Sequence, residues 1–230
     1  MRASDFCGAR YDALDRRTPI ILPVARWVGR GEGVPLGLEG QLLDHVLGHL
    51  TSSAIALPVM PFAASPESIG IPGSISLPAG VSQAAVQSIL STLARDRFER
   101  VVVLSASPLA GDWLRPAILE FRGSHPNVAV ALTSLVELAN QTEPESILIR
   151  LAAGQSLVIS APRVSALKPA TAAGMPSYLV TLNSELAPDG YLANPSDATA
   201  SDDGQDMETI LRNLNKFLEN FAGPIVFAEN

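Results

Sequence analysis

Arg26, Arg30, Glu32 and Glu39 fall in one stretch of the sequence. A guanidinium and a carboxylate at close range can bind a carboxylate ligand, move a proton or neutralise one another. For Arg30 with Glu39 all three stay open, an ion pair among them, and Arg26 and Glu32 read as solvated loop charges, the usual fate of charged side chains. Asp44, His45 and His49 form a second group. The two histidines have the i, i+4 spacing of paired zinc ligands, but no Glu occupies the metalloprotease position between them. Val46, Leu47 and Leu50 turn the same helix toward a core, so we read them as core or surface histidines. Ser105 and Ser107 follow an apolar strand, where a nucleophile can stand. The Gly-x-Ser-x-Gly elbow that would expose such a serine is missing, so a polar turn is the reading taken. Gly29-x-Gly31-x-Gly33 has only part of a dinucleotide-loop spacing. His125, before Pro126, reads as a solvated loop residue, Trp113 and Phe121 as core, and Cys7 as a thiol in an N-terminal arm.

Composition narrows the classes. The chain has 230 residues, 47% hydrophobic and 17% charged, enough apolar material for one large domain over 1–230. Residues 1–17 read as a mobile N-terminal arm. A net charge of −7 with a pI near 4.9 argues against nucleic acid or an anionic membrane as partner. Arg95, Arg97 and Arg100 cluster near one helix end, where cations complement the dipole. A single cysteine excludes an intrachain disulfide and a thiolate metal cluster. Residues 1–17 lack the apolar core of a signal peptide, and no apolar run approaches the ~20 residues of a membrane span. A soluble, cytoplasmic protein is expected.

Elements that position these residues follow from periodicity. Pro19–Val24, Ala54–Leu57, Val101–Leu104, Val128–Leu132 and Leu157–Ile159 read as buried strands. Helices are expected over Leu42–Leu50, Ser82–Leu93 with Ser82 as N-cap, and Trp113–Phe121 stopped by Gly123. Two more are expected over Ser146–Ala152 and Met207–Phe221, and Asn194–Gly204 is read as an ordered turn. Strands alternating with helices imply an α/β domain with a mostly parallel sheet covered on both faces. Sites in such sheets lie at the carboxyl ends of the strands. Residues 58–77 are dense in proline and glycine, which excludes a helix or central strand and describes a rigid loop entering a second short strand.

That loop, Ser65-Pro66-Glu67…Gly70…Pro72-Gly73-Ser74-Ile75, resembles the Ser-x-Glu-His-x-x-Phe-Pro-Gly-Thr-Ile loop of the creatininase (creatinine amidohydrolase) family. Pro23-Val24 and Val34-Pro35-Leu36-Gly37 are similar to the family's opening Pro-Val-Gly-Ser-x-Glu-x-His-Gly and His-Leu-Pro-Leu-x-x-Asp. Gly190…Asn194-Pro195-Ser196-Asp197-Ala198-Thr199 resembles its late Gly-x-x-Gly-Asp-Pro-x-x-Ala-Thr segment. The resemblance implies a creatininase-like single-domain fold, often a hexamer. It also implies two zinc or manganese ions on carboxylates and imidazoles, activating water against a non-peptide C–N bond.

Carried over residue by residue, the resemblance sets Val28 at the first ligand Glu, Arg30 at the ligand His and Glu39 at the ligand Asp. The Asn-Gly-His-Gly-Gly-Asn motif becomes Ser105–Ala110, with Ser107 at the histidine. Ala139 and Thr142 fall at the later histidine and glutamate, with Glu143 and Glu145 nearby. Val28, Arg30, Ser107 and Thr142 are poor metal ligands, so no metal cofactor is expected. Three readings follow. One is a non-catalytic homologue, either a homo-oligomer, a subunit paired with an active paralogue, or a binder of a small molecule. Another is a divergent hydrolase using Glu39, Glu67 and Glu143. The third is a metal-free enzyme using Arg30 and Glu39.

Overall fold

The structure is a computed structural model and describes residues 2, 8–30, 34–140, 148, 150, 151 and 205–223. Among these, four strands form one parallel sheet in the order β2-β1-β3-β4. They are β1 (Ile20–Val24), β2 (Ile55–Ala56), β3 (Arg100–Ser105) and β4 (Ala129–Ser134). β1 and β3 are buried along their whole length, as a sheet covered on both faces requires. Their register pairs Ile20 with Val101 and Val24 with Ser105, and β3 continues into β4 through Ser105 opposite Ser134.

Alternating strand residues feed two cores. Ile21, Val102 and Leu104 pack with α2 (Leu38–Gly48), α5 (Leu135–Leu138) and the last described helix, α6 (Gln205–Ala222). Ile20, Leu22, Val101 and Val103 pack on the other face with α3 (Ala79–Arg95) and α4 (Gly111–Ser124). The chain thus leaves β1 over one face to reach β2, and leaves β3 over the opposite face to reach β4. The connections after β1 and β3 diverge, the topology at which parallel sheets place their ligand sites, at the carboxyl ends of the strands.

The sequence expectations hold for the four described strands and shift at several element ends. α3 begins at Ala79 behind Pro78, and Ser82 is buried inside it rather than capping it. Proline at the cap position fixes φ ahead of the first turn. α4 runs through Gly123 to Ser124 and ends at His125, where Pro126 disfavours a helical conformation for the preceding residue. Arg100 opens β3 rather than sitting at a helix end; it is buried and donates to the carbonyls of Arg17 (3.0 Å) and Gly223 (2.8 Å).

Part of the supposed mobile arm packs on the body. α1 (Gly8–Asp12) lays Tyr11 against Phe98, ring centroids 5.7 Å apart, and the Tyr11 hydroxyl donates to Asp96 at 2.6 Å. Arg16 lies over the Phe98 ring at 4.7 Å, and Arg2 bridges Ala56 beside the edge strand. An aromatic ring with a polar tip fastens this segment where polarity alone suggested none. Leu148, Arg150 and Leu151 are helical, within the helix expected over Ser146–Ala152. Cys7, the strand at Leu157–Ile159 and the turn at Asn194–Gly204 lie outside the described residues. Among the described residues no helix is long and apolar enough to cross a membrane.

Candidate functional site

Two residues beyond the end of β1 the chain turns under the Pro/Gly loop, and that loop is tied down on several sides. Met60 and the β1 end exchange backbone bonds, Met60 N–H to the Pro23 carbonyl and Ala25 N–H to the Met60 carbonyl, both 2.9 Å. Ile75 donates to the Trp27 carbonyl at 2.9 Å, and the Gly29 N–H donates to Ser74 Oγ at 2.8 Å. Trp113 of α4 donates its indole N–H to the Ala64 carbonyl at 3.1 Å. The rigid loop is therefore present, but the short strand expected within it is a single antiparallel bridge between Trp27 and Ile75.

Gly29 itself serves this packing. A Cβ there would stand 2.5 Å from the Pro72 carbonyl oxygen, so the glycine answers a close backbone approach. Gly31, Glu32 and Gly33 lie outside the described residues.

Arg26 is the centre of the site. Its backbone N–H donates to Glu39 Oε2 at 2.8 Å, while its Nε and Nη2 donate to Glu39 Oε1 at 2.9 and 2.6 Å. Arg30 Nη2 reaches the same Oε1 at 2.6 Å. Arg26 Nη1 then donates to Glu67 Oε1, also at 2.6 Å. Arg26 is 2% exposed and Glu39 1%, whereas the Glu67 side chain is 27% exposed. Glu39 comes from the first turn of α2, and Glu67 from a 3-10 turn, Pro66–Ser68, in the Pro/Gly loop. Short charge-assisted bonds of this kind hold buried charges that would otherwise be costly to desolvate.

The reading of Arg26 as a solvated loop charge is thus overturned. It is one of the largest fully buried side chains described and links Glu39 to Glu67. The flanking Ala25, Trp27 and Val28 were the available signal, because a charge inside an apolar run beyond a buried strand enters the protein with its neighbours. Of the readings open for Arg30 with Glu39, the ion pair is present.

Val28 and Ser107 are also buried, and Ser107 follows β3 just as Arg26 follows β1. Thr142, Glu143 and Glu145 lie outside the described residues. Ser107 caps a 3-10 turn, its Oγ accepting from the Leu109 N–H at 3.4 Å, and its carbonyl accepts from the Ser105 hydroxyl at 2.8 Å. Both serines are committed to a turn, as the sequence indicated. Among the described residues neither has an imidazole or carboxylate as hydrogen-bond partner.

His45 and His49 lie away from this network on α2, ring centroids 4.4 Å apart, with His49 Nδ1 2.8 Å from the His45 carbonyl. Burial, and then the neighbouring His49, lower the pKa of His45 from its ordinary value. His125 is half-buried and stacked on Phe121 at 4.4 Å rather than free in solvent, while Trp113 and Phe121 are core as expected. Among the described residues no group of three His, Cys, Asp or Glu stands close enough to hold a metal ion. A cleft of about 660 Å³ opens between α2 and the edge strand, lined by Trp27, Leu36, Leu57 and Val59 with Arg2 and Asp44; the Arg26, Arg30, Glu39 and Glu67 side chains do not line it.

Comparison with known proteins agrees with the architecture. The solved structure of a creatinine amidohydrolase (creatininase) superimposes with a TM-score of 0.78 at 16% identity, over 97% of this chain and 98% of that one. A manganese form of creatininase gives 0.77 at 17%, over 97% and 99%. A putative creatinine amidohydrolase from Bacteroides fragilis gives 0.71 at 16%, over 99% and 98%. At such identities the likeness shows the fold. No protein of curated function matches the sequence. The model of the family described as creatinine amidohydrolase matches residues 9–218, and the chain belongs to the creatininase family.

Proposed function

We propose that this chain is a creatininase-family protein in which an internal arginine–glutamate network stands in place of a hydrolytic metal centre. It acts in the cytoplasm as a non-catalytic subunit or as a binder of a small molecule. The observation that carries this reading is Glu39, at the position where the family resemblance sets a ligating aspartate. Its Oε1 accepts three N–H donors from two guanidiniums and its Oε2 accepts the Arg26 N–H. A divalent ion there would need the lone pairs already taken by those donors. It would also sit beside two fixed positive charges in a poorly screened interior.

The donor set does not fit zinc or manganese, which take deprotonated N, O or S ligands. Acid–base work by Arg30 and Glu39 has less support, because both are buried and locked to one another. A divergent hydrolase built on Glu39, Glu67 and Glu143 remains the competing reading, and it requires turnover of a cyclic amide that Glu39→Ala abolishes.

Elemental analysis of protein purified without chelator tests the proposal. Zinc and manganese well below one ion per chain are expected, together with no turnover across cyclic amides. Stoichiometric metal would sink it. Assembly with further copies or an active paralogue belongs to the same proposal. Phe62, exposed beside Trp27 at 5.4 Å, and exposed Leu36 and Ile75 supply an apolar face for it. Light scattering should report a mass above that of one 24.2 kDa chain.

A further inference from the structure

The Arg26 network has a buried half and a half that reaches solvent. Glu39 is enclosed on α2 and cannot be exchanged without exposing two guanidiniums. Glu67 is different: it approaches Arg26 Nη1 from the Pro/Gly loop, and more than a quarter of its side chain meets water. Arg26 is buried, so its charge needs a carboxylate partner, but exchanging one carboxylate for another from the solvent side keeps it paired before and after.

Two further observations point the same way. The network lies at the carboxyl ends of β1 and β3, where the connections diverge and where parallel sheets of this kind take ligands. Ser65 and Ser68, on either side of Glu67 in the same turn, have fully buried hydroxyls without a hydrogen-bond partner among the described residues. Buried hydroxyls left unsatisfied are a cost, so the turn that holds Glu67 against Arg26 is not at its best polar pairing.

We infer that Glu67 is a tethered stand-in for a ligand: the Arg26 guanidinium is an anion subsite for a small monocarboxylate, which takes the place of the Glu67 side chain. This deepens, and rests on, the reading of the chain as a binder of a small molecule. A guanidinium N–H already aimed at a carboxylate oxygen 2.6 Å away needs no rearrangement to receive another. Glu67 competes at the high effective concentration of a tethered group, so the wild-type chain binds free carboxylate only weakly.

The test is acetate binding by titration calorimetry and thermal shift to the wild-type chain, Glu67→Gln and Glu67→Ala, at constant ionic strength in chloride. The expected order of affinity is Glu67→Ala, then Glu67→Gln, then wild type, with at least about tenfold between the extremes. Removing the tether's volume and charge frees the subsite fully; removing the charge alone frees it in part. Glu67→Gln is nearly isosteric and keeps the comparison available if Glu67→Ala does not fold. Acetamide, neutral and of the same shape, should bind none of them. Affinities equal across all folded variants, or acetamide binding as well as acetate, would overturn the inference. Metal content measured on the same preparations separates the two ideas: metal without carboxylate binding defeats both, and neither metal nor carboxylate binding defeats this inference alone.

Discussion

Arg26 encloses Glu39 from two directions at once, through its backbone N–H on one carboxylate oxygen and its Nε and Nη2 on the other. The pairing fixes the turn after β1 against the first turn of α2, so the path of the chain and the charge balance of the site depend on each other. Arg30 adds a second guanidinium to the same carboxylate.

Glu39→Gln should therefore be far more costly than a surface charge change. Both guanidiniums lose a buried carboxylate while the shape of the side chain is kept. A loss of about 3–5 kcal/mol is expected from breaking a buried pair. Urea unfolding checks it, with a lower midpoint at an unchanged slope. A change within about 0.5 kcal/mol, as for a surface position, would contradict the buried network.

Trp113→Phe removes one N–H and leaves an aromatic ring. The Ala64 carbonyl, which accepts that bond at 3.1 Å, would be left in a buried environment without it. A loss of about 1–3 kcal/mol is expected. Because Ala64 lies in the Pro/Gly loop, hydrogen exchange should quicken around 58–77 more than in the sheet.

Gly73→Ala tests the loop from the other end. Gly73 has φ +81°, in the region that L side chains avoid, and its Cβ would stand 2.9 Å from Leu36 Cδ2. Leu36 can swing its methyl aside, so the backbone conformation sets the cost, about 1–2 kcal/mol. A melting temperature unchanged from wild type would show that the loop has another conformation open to it.

His45 gives a pH dependence of known sign. Its folded pKa lies below the ordinary 6.5, through burial and then through His49. The unfolded chain thus binds the proton more readily, and the stability contributed by neutral His45 is present above pH 6.5 and lost as pH falls below it. His45→Gln should reduce the fall in melting temperature between pH 7.5 and 5.5. An identical fall in the variant would remove His45 as a cause.

Much of the architecture was legible because it rests on local patterns. Val101–Leu104 is an apolar run too continuous for a half-exposed strand, and it is the buried β3. Leu42, Val46 and the α6 residues Ile210, Leu214 and Leu218 recur at helical spacing and pack into one core. Helix ends were harder. Gly123 is a frequent stop, yet α4 passes it and ends ahead of Pro126. In a helix already packed through Trp113, Leu114, Ile118 and Phe121, one exposed glycine costs too little to end it.

The site was legible only in part for a different reason. The family resemblance, carried over residue by residue, identified Arg30, Glu39 and Glu67 as candidates and placed poor metal ligands at the neighbouring positions. Whether Arg26 faces water or the interior depends on the direction the chain takes after Val24, and that direction is set by bonds to Met60, Ile75 and Glu39, residues remote in sequence. Patterning along the chain specifies which surfaces must be buried, because hydrophobic burial is nearly additive and local. The fate of a charge is decided by the partners that folding brings within about 3 Å, because only those can offset its desolvation.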